Sequence, residues 1–586
     1  MTKRAGILAL LLGMSTLSLI ASATSDWTSD WAVDGPIALE IDATGFSMPT
    51  ALAFVSEPGT DSKDPRYFVL ELYGEVKVVT NDGSVIDFAS VPAVMPDVVL
   101  PDPAAELGAA GLCLDSERGY VFVTFASRRE GGTLGNRLLR FTTTPGIFAS
   151  RYSEVSEIAT FLGTVQSAPS HQIGDCAVDD DRLFVGVGDG HNASAAQDVA
   201  TPLGKVLAME LDGDPLPTNP FADDPSGSAR FVYASGFRNP FAIDVIDGMV
   251  TVIDNGMSID RLLLVEPGVN YLWDGTDASI AGSATAILDP SGGAVHLVRG
   301  IFPGEGDGIY YSTSSKKEGL SGIWFIPIDF DRGHPSGTSL QVVRYLGDDY
   351  PAVTGISNGG DGIYFSPLAP GSAGSSPVLR ALLRPGDPHP IEIEPLKDDP
   401  FHALGCVGCH RVDDVGGDVG PSLDFFEPEN RERILSTLDS EGFEAMLRDL
   451  DERTEEPFVS TRDAREEVLS ASGLARLHAY VENKVLEPRF ADPDSQMPDL
   501  GLTEEQAAAV ASELASPWEI RAYDLGLSVR DLIPLPATRV GDTFAGGIVG
   551  GVLVALLVGA LWLARRGVRV LTRVRRRVSS RGARRI

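Results

Sequence analysis

Six short runs of aromatic and β-branched residues recur at nearly even intervals, and this recurrence limits the possible folds more than any other feature of the chain. Most of the runs follow a glycine that marks a turn. Long helical patterns are nearly absent before residue 390. The runs begin at Tyr67, Tyr120, Leu183, Val250, Ile309 and Ile363, so that successive starts lie 53 to 67 residues apart.

Repeating β units of this size predict an all-β propeller with six blades. A blade of four strands needs roughly 40 to 50 residues, and the longer intervals leave room for loops. We therefore predict a propeller over residues 36–385. A pair of irregular β-sandwiches is the alternative that the spacing leaves open.

The character of the chain changes after the propeller. Residues 386–398 are rich in proline and polar side chains, which is typical of a linker. Residues 399–516 have helical spacing and few turn breakers, so we predict an all-α domain there. Its last helix has a capping box of Thr503 and Gln506.

The N-terminus reads as a secretory signal peptide over residues 1–23. Lys3 and Arg4 precede a short apolar run that ends in the small residues of Ala21-Ser22-Ala23. A retained N-terminal membrane anchor is the alternative. A signal peptide places the body of the protein on the periplasmic or extracellular side.

The C-terminus carries a second apolar run, residues 544–564, which follows a tether at 517–543. Its 21 uncharged residues would span about 31 Å as a helix, enough to cross a bilayer. The tail, residues 565–586, has ten arginines and no acidic residue, so it is expected on the cytoplasmic side. The sequence thus predicts a single-pass protein of the cell membrane.

The predicted exported body is strongly acidic. Outside the tail and the signal peptide, 35 basic residues face 82 acidic ones. This balance argues against nucleic acid as a partner of the body and is compatible with a cationic partner. Adaptation to high salt explains the charge equally well, and nucleic-acid binding is the rival explanation of the arginine-rich tail.

The stretch GCVGCH contains the pattern C-x-x-C-H at Cys406, Cys409 and His410. This pattern is typical of covalent haem c attachment, in which two thiols hold the haem and the histidine binds the iron. A redox dithiol does not need the histidine, and a zinc site needs a second pair of ligands. The remaining cysteines, Cys113 and Cys176, can form a disulfide in an oxidising compartment or stay as two buried thiols.

The region around this motif resembles class I cytochromes c over about 120 residues. The resemblance rests on C-x-x-C-H, on GPSL at residues 420–423 and on Met497 followed by proline. It implies that Met497 is the second axial ligand of the haem iron, opposite His410. Met446 and His478 are the alternative ligands. A long acidic insert at residues 441–465 departs from the family pattern.

Five segments of the predicted propeller carry further motifs. They are ELGAAGLCLD, SHQIGDCAVDDDRLFVGVGDG, TPLGKVLAMELDGDPLPTNPF, VYASGFRNPFAIDV and DRLLLVEPGVNYLWDG. These segments resemble the glucose/sorbosone dehydrogenase family, in the family's order and across roughly residues 45 to 385. Members of that family are six-bladed propellers that use pyrroloquinoline quinone (PQQ) and calcium.

This resemblance implies a set of site residues. His171 would be the catalytic base, Arg238 would stabilise charge on the quinone oxygens, and Asn239 would line the cofactor. Glu106 would also line the cofactor. The backbone carbonyls of Gly256 and Met257 would bind calcium.

The sequence departs from the family pattern at Ser170, Met257 and Leu272. For His171 the alternative is a hydrogen-bonded loop histidine. For Arg238 it is a buried salt bridge that closes a blade.

Taken together, the segments predict a PQQ-dependent sugar or alcohol dehydrogenase that passes electrons through its own haem to a respiratory acceptor. Two alternatives use the propeller without a cofactor, either as a binding module or as a docking scaffold for an electron-transfer cytochrome c.

Overall fold

The computed structural model describes residues 30–515 apart from short gaps. The gaps are residues 35–36, 100–106, 130–133, 165–167, 226, 282, 289–290, 316–318, 338, 347–351, 369–374, 384–399, 405, 407–408, 413–414, 417–419, 424–427, 494, 496 and 498. The signal peptide, linker, tether, membrane helix and tail predicted above all lie outside the described residues, and so does Glu106. These assignments stay predictions.

The first part of the described chain forms six antiparallel sheets, each built around four strands. Two strands come before the first sheet: β1 (Trp31–Val33) and β2 (Ile37–Phe46). Blade 1 holds β3 (Pro49–Phe54), β4 (Pro65–Glu71), β5 (Glu75–Thr80) and β6 (Val85–Ser90). Blade 2 holds β7 (Val98–Val99), β8 (Gly108–Asp115), β9 (Tyr120–Arg129), β10 (Leu134–Thr142) and β11 (Glu154–Ile158).

Blades 3 and 4 contain the strands nearest to the predicted catalytic residues. Blade 3 holds β12 (Ile173–Asp179), β13 (Arg182–Val187), β14 (Lys205–Glu210) and β15 (Val232–Ser235). Blade 4 holds β16 (Pro240–Ile246), β17 (Met249–Asp254), β18 (Asp260–Val265) and β19 (Ala286–Leu288).

Blades 5 and 6 include the two N-terminal strands. Blade 5 holds β20 (Ala294–Phe302), β21 (Gly306–Thr313), β22 (Gly322–Asp329), β23 (His334–Pro335) and β24 (Leu340–Tyr345), and β1 pairs with β24. Blade 6 holds β25 (Val353–Asn358), β26 (Ile363–Pro367) and β27 (Ser376–Leu383), and β2 pairs with β27. Short helices in the connections are α1 (Val91–Val94), α2 (Ala193–Gln197) and α3 (Asp277–Ala281).

The N-terminal strand β2 closes the ring of blades. It runs antiparallel to β27, from the pair of Ile37 and Leu383 to the pair of Phe46 and Ser376. The innermost strand of every blade contacts the innermost strand of the next, in the series β3, β8, β12, β16, β20 and β25, which returns to β3. This arrangement confirms the predicted six-bladed propeller and rules out a pair of sandwiches.

Buried apolar side chains fill the space between neighbouring blades. Phe68 of blade 1 and Phe125 of blade 2, for example, are both fully buried. Cys113 on β8 and Cys176 on β12 form a disulfide, with their Cα atoms 5.8 Å apart. The disulfide therefore links the innermost strands of blades 2 and 3.

Residues after the propeller form helices, as the sequence pattern predicts. They are α4 (Pro400–Ala403), α5 (Pro428–Leu438), α6 (Glu441–Leu450), α7 (Arg462–Ser470), α8 (Gly473–Leu486) and α9 (Glu504–Leu514), with two short strands, β28 (Arg411–Val412) and β29 (Val415–Gly416). The capping box of α9 is present, with Gln506 N donating to Thr503 Oγ1 and Thr503 N donating to Gln506 Oε1. Among the helices that the structure describes, none is long and apolar enough to cross a membrane.

Candidate functional site

Alternating strand directions bring the predicted propeller residues to one end of the ring. Loops that enter a blade and loops between its second and third strands lie at the same end, because successive strands are antiparallel. His171 precedes β12, and Arg238 precedes β16. The loop of Gly256 and Met257 joins β17 to β18, so it reaches the same end.

His171 is buried in a strained loop and paired with a carboxylate. Its backbone φ is +53°, in the left-handed region that non-glycine residues rarely adopt. Its Nδ1 lies 2.7 Å from Asp189 Oδ1. When Nδ1 donates its proton to the carboxylate, Nε2 keeps a lone pair that can accept a proton from a substrate.

Asp189 holds this imidazole and is itself fixed by donors from two blades. Oδ1 also accepts from the backbone N–H of His191 at 2.8 Å, and Oδ2 accepts from Trp273 Nε1 at 2.8 Å. Burial alone would raise the pKa of Asp189, but the hydrogen bonds from His171 and Trp273 hold that pKa below its ordinary value. Asp189 is therefore ionised at neutral pH and keeps His171 in one orientation.

A second histidine lies against the first. The rings of His191 and His171 stack with centroids 3.9 Å apart and an angle of 21° between their planes. His191 Nε2 is in hydrogen-bond contact with Ser170 Oγ. Sequence reasoning missed both Asp189 and His191, and the available signal was the turn sequence DGHN directly after a buried strand.

Arg238 does not make the buried salt bridge considered above. Its neighbour Asp254 is paired with Arg261, and both of those side chains are fully buried. The backbone N–H of Arg238 donates to Asp254, while its guanidinium donates to Asn255 O at 2.7 Å. The guanidinium carbon also lies 5.9 Å from the centre of the Trp273 ring. A guanidinium has five N–H donors, so it has further donors for an anionic ligand.

Asn239 presents a buried acceptor with no partner. Its Oδ1 makes no hydrogen bond and lies close to Gly188, where a Cβ atom would come within 2.7 Å of it. The same Cβ would come within 2.6 Å of the His171 carbonyl group. The Arg238 guanidinium can donate to the carboxylate and carbonyl oxygens of a quinone such as PQQ, and the unpartnered Asn239 oxygen can accept from its ring N–H.

The side chains near Gly256 and Met257 do not fit a calcium ion. The nearest carboxylates accept hydrogen bonds from these residues, Asp260 from Gly256 N at 3.0 Å and Asp277 from Met257 N at 3.1 Å. No group of three or more His, Cys, Asp or Glu side chains suited to a metal occurs in the part of the chain that the structure describes. Calcium at the two backbone carbonyls stays a prediction, and no step below uses it.

Backbone hydrogen bonds hold together the three described residues of the C-x-x-C-H motif, Cys406, Cys409 and His410. The amides of Cys409 and His410 both donate to Cys406 O, at 3.2 and 2.9 Å. His410 Nδ1–H donates to Pro421 O at 2.7 Å, which leaves Nε2 as the nitrogen for an iron atom. Burial lowers the pKa of His410, which favours the neutral ligand form although the hydrogen bond to Pro421 opposes this effect.

The motif opens into a largely apolar cavity of about 500 Å³. Cys406, Cys409 and His410 line it together with Met497. Met446 is 40% exposed and His478 contacts Ser512, and neither is among the lining residues. Two thiols, an imidazole nitrogen and a thioether around one apolar cavity fit a haem c group.

The motif also contacts the propeller. Cys409 belongs to a buried apolar cluster with Ala196, Ile259, Trp273 and Ile280. Ile287 on β19 packs against this cluster and lines the cavity. Trp273 therefore shares a buried cluster with Cys409 and also donates a hydrogen bond to Asp189.

Known proteins match the propeller part of the chain. The model of the glucose/sorbosone dehydrogenase family matches residues 46–291, which include His171, Asp189 and Arg238. An uncharacterised protein from Synechocystis sp. is 33% identical over 107 residues, which cover 16% of this chain and 26% of that protein. The match thus spans about a quarter of the length of this curated relative.

Solved structures give a similar result at low identity. The PQQ-bound aldose sugar dehydrogenase of Streptomyces coelicolor is 20% identical with a TM-score of 0.45, covering 60% of this chain and 100% of that chain. The soluble aldose sugar dehydrogenase of Escherichia coli is 15% identical with a TM-score of 0.46, covering 59% and 100%. The strand pairing described above, rather than these matches, establishes the propeller.

Proposed function

We propose that this chain is an exported, membrane-anchored dehydrogenase that oxidises a sugar or alcohol with PQQ and carries a c-type haem for onward electron transfer to a respiratory acceptor. The observation that carries the proposal is the pairing of His171 with an ionised Asp189 beside the unpartnered oxygen of Asn239. These residues lie within the stretch that the family model matches.

His171 would act as the base. Its Nε2 accepts the proton of a substrate hydroxyl while the C–H hydrogen leaves as hydride. Asp189 stabilises the imidazolium that forms, and the bond from Trp273 keeps the carboxylate in place. Arg238 supplies positive charge where negative charge builds up during oxidation.

PQQ, when bound, supplies the two-electron acceptor for this chemistry. Arg238 and Asn239 are the residues that would hold it. Arg238 would donate through its remaining guanidinium N–H groups, and Asn239 would accept through its unpartnered Oδ1. Burial of the His171 ring excludes water from one side of the reacting groups.

A c-type haem supplies a one-electron carrier. Cys406 and Cys409 would hold it covalently, and His410 and Met497 would bind its iron. The presence of Cys409 and Trp273 in one buried cluster supports transfer within a single chain, because two tethered sites meet at a high effective concentration.

Location and partners rest on the sequence. A signal peptide and a C-terminal membrane helix would keep the body on the periplasmic or extracellular side. The acidic body favours a basic electron acceptor.

The test uses the full chain purified from membranes. Covalent haem is measured from the absorption spectrum, PQQ is added with and without calcium, and haem reduction is followed with a panel of aldoses and alcohols. H171Q should lower the rate by about 10² to 10⁴, whereas H334Q, at an exposed residue of β23, should not. Bound PQQ without haem reduction by any substrate would contradict the proposal.

One observation favours a propeller that only binds a partner. Met257 and Leu272, where the sequence departs from the family pattern, are both 55% exposed. They place apolar surface at the His171 end of the ring. In that case PQQ would not bind in an equilibrium titration, while the haem would still be reduced by an external donor.

A further inference from the structure

Helix α8 forms one wall of the cavity that contains the cysteine motif and Met497. The side chains that face the cavity follow helical spacing. They are Leu477, Tyr480, Val481, Lys484 and Val485. Lys484 is the cation on this otherwise mainly apolar face, in the last turn of the helix.

Lys484 is bonded to the loop that carries Met497. Its ammonium donates to Ser495 Oγ at 2.9 Å and to the carbonyl oxygen of Pro488. Ser495 Oγ in turn accepts the backbone N–H of Met497 at 3.3 Å. Two hydrogen bonds through Ser495 thus connect the side chain of Lys484 to the backbone of Met497.

Met497 lies in a loop, outside any helix or strand that could fix the position of its side chain. It lies before α9 and packs, partly buried, against the apolar cluster that contains Cys406, Val485 and Val510. A thioether is a neutral, weak ligand on a flexible side chain. It will bind an iron atom stably only if its backbone is fixed at the right distance, because ordering a free loop costs conformational entropy.

We propose that Lys484 is the positioning residue for Met497 as the sixth ligand of the haem iron. Lys484 does not touch the iron in this role. It acts through Ser495 and keeps the methionine loop against α8. The inference rests on the haem part of the proposed function and adds a residue that the cytochrome motifs do not include.

The test compares variants of the haem-loaded full chain. K484M keeps an unbranched apolar stem but removes the ammonium, and S495A removes the bridging hydroxyl while leaving all charges in place. Both should weaken the long-wavelength absorption band that marks methionine bound to ferric haem, and both should lower the midpoint potential. Both should also raise the affinity for added imidazole by about tenfold or more, as is typical when a residue that supports a metal ligand is lost.

Controls separate positioning from charge and from haem loss. R489Q removes an exposed positive charge from the same loop, where Arg489 contacts Glu487, and should keep the band. M497L should lose the band completely. K484R should restore it in part, because a guanidinium can also donate to Ser495.

Two results would overturn the inference at different levels. If K484M and S495A carry normal covalent haem with the band and the imidazole affinity of the wild type, the positioning role is refuted and the proposed function stands. If the wild-type chain carries no covalent haem, the haem part of the proposed function fails and the role of Lys484 fails with it.

Discussion

A single carboxylate, Asp189, determines how the candidate base is presented. It joins His171 of blade 3 to Trp273 of blade 4 through its two oxygens. D189N should preserve most of the contacts but reverse the polarity of the bond to Nδ1, which favours the wrong tautomer of His171. We expect substrate oxidation, measured with an artificial dye as acceptor, to fall by about 10² to 10⁴.

The matched control for this change is D331N, at an exposed aspartate in a turn of blade 5. It should oxidise substrate at the wild-type rate. A D189N protein that also keeps the wild-type rate would show that His171 does not act as a base oriented by this carboxylate.

Gly420 is required by the imidazole of the haem motif. A Cβ atom at this position would lie 2.4 Å from His410 Cε1, which is too close for any side chain. G420A should push the ring off its bond to Pro421 and lower the amount of six-coordinate haem, as measured by the absorption spectrum. G442A is the control, since a Cβ there meets no atom closer than Ser440 Oγ at 3.9 Å.

At the scale of single residues, the sequence motifs identified those residues whose interaction partners are close in the sequence. The motif of Cys406, Cys409 and His410 is local, so its spacing alone predicted a haem site. Asp189 and Trp273 were missed because their role depends on a contact across 84 positions in sequence. An aspartate before a glycine is ordinarily a turn residue. Only the packing of blades 3 and 4 brings Asp189 into hydrogen-bond contact with both His171 and Trp273.

At the scale of the strands, the six sequence runs turn out to be equivalent. Each one falls on the second strand of its blade, namely β4, β9, β13, β17, β21 and β26. The second strand from the centre has a strand on either side and a blade on each face, so most of its side chains are buried. This burial explains why these strands alone gave a periodic signal. The pairing of β2 with β27 gave none, because it joins residues more than 300 positions apart.

The Cys113–Cys176 disulfide should contribute strongly to the stability of the propeller. It closes a loop over a sequence separation of 63 residues, and removing a cross-link of that length costs about 4 kcal/mol in the chain-entropy account. The double variant C113A/C176A should unfold at a lower denaturant concentration, as followed by tryptophan fluorescence. Reductant should shift the wild type in the same direction and leave the variant unchanged; equal stability of both proteins would contradict the prediction.

A buried pair between two innermost strands should make stability depend on pH. His296 on β20 donates Nδ1–H to Thr354 O at 2.7 Å, so its Nε2 faces Asp175 on β12 at 3.5 Å. Burial lowers the pKa of His296, but the carboxylate of Asp175 outweighs burial and raises that pKa above the ordinary value of 6.5. A raised pKa in the folded state contributes stability below 6.5 that is lost as the pH rises through the folded value.

The check is a series of urea unfolding curves between about pH 5 and about pH 9, a range that brackets ordinary histidine titration. The free energy of unfolding of the wild type should fall as the pH rises through this range, and H296Q should lack that part of the slope. H334Q should keep it. An identical slope in the wild type and H296Q would show that the pair does not titrate as described.

At the scale of the whole molecule, the sequence predicted two functional parts but not their contact. Composition and spacing separate a β-rich part from a helical part, since each folds on its own local pattern. One apolar contact between them consists of scattered residues from α2, α3, β19 and the loops of blade 4, which cluster with Cys409. Such a surface has no period in the sequence, so only the folded chain brings it together.

Ile287 offers a way to disturb this contact without substituting His171, Asp189 or Trp273. It lies on β19, packs against the cluster that contains Cys409 and lines the cavity. I287D would place an ionised carboxylate in an apolar contact, which is unfavourable unless the two parts separate. We expect substrate to reduce the haem more slowly in I287D, while oxidation measured with a dye that accepts electrons directly stays unchanged.

I301D, at an apolar residue of blade 5 that is already 67% exposed, should leave both rates as in the wild type. Parallel loss of both rates in I287D would mean that the propeller itself is damaged, and unchanged haem reduction would mean that electrons do not pass through this contact.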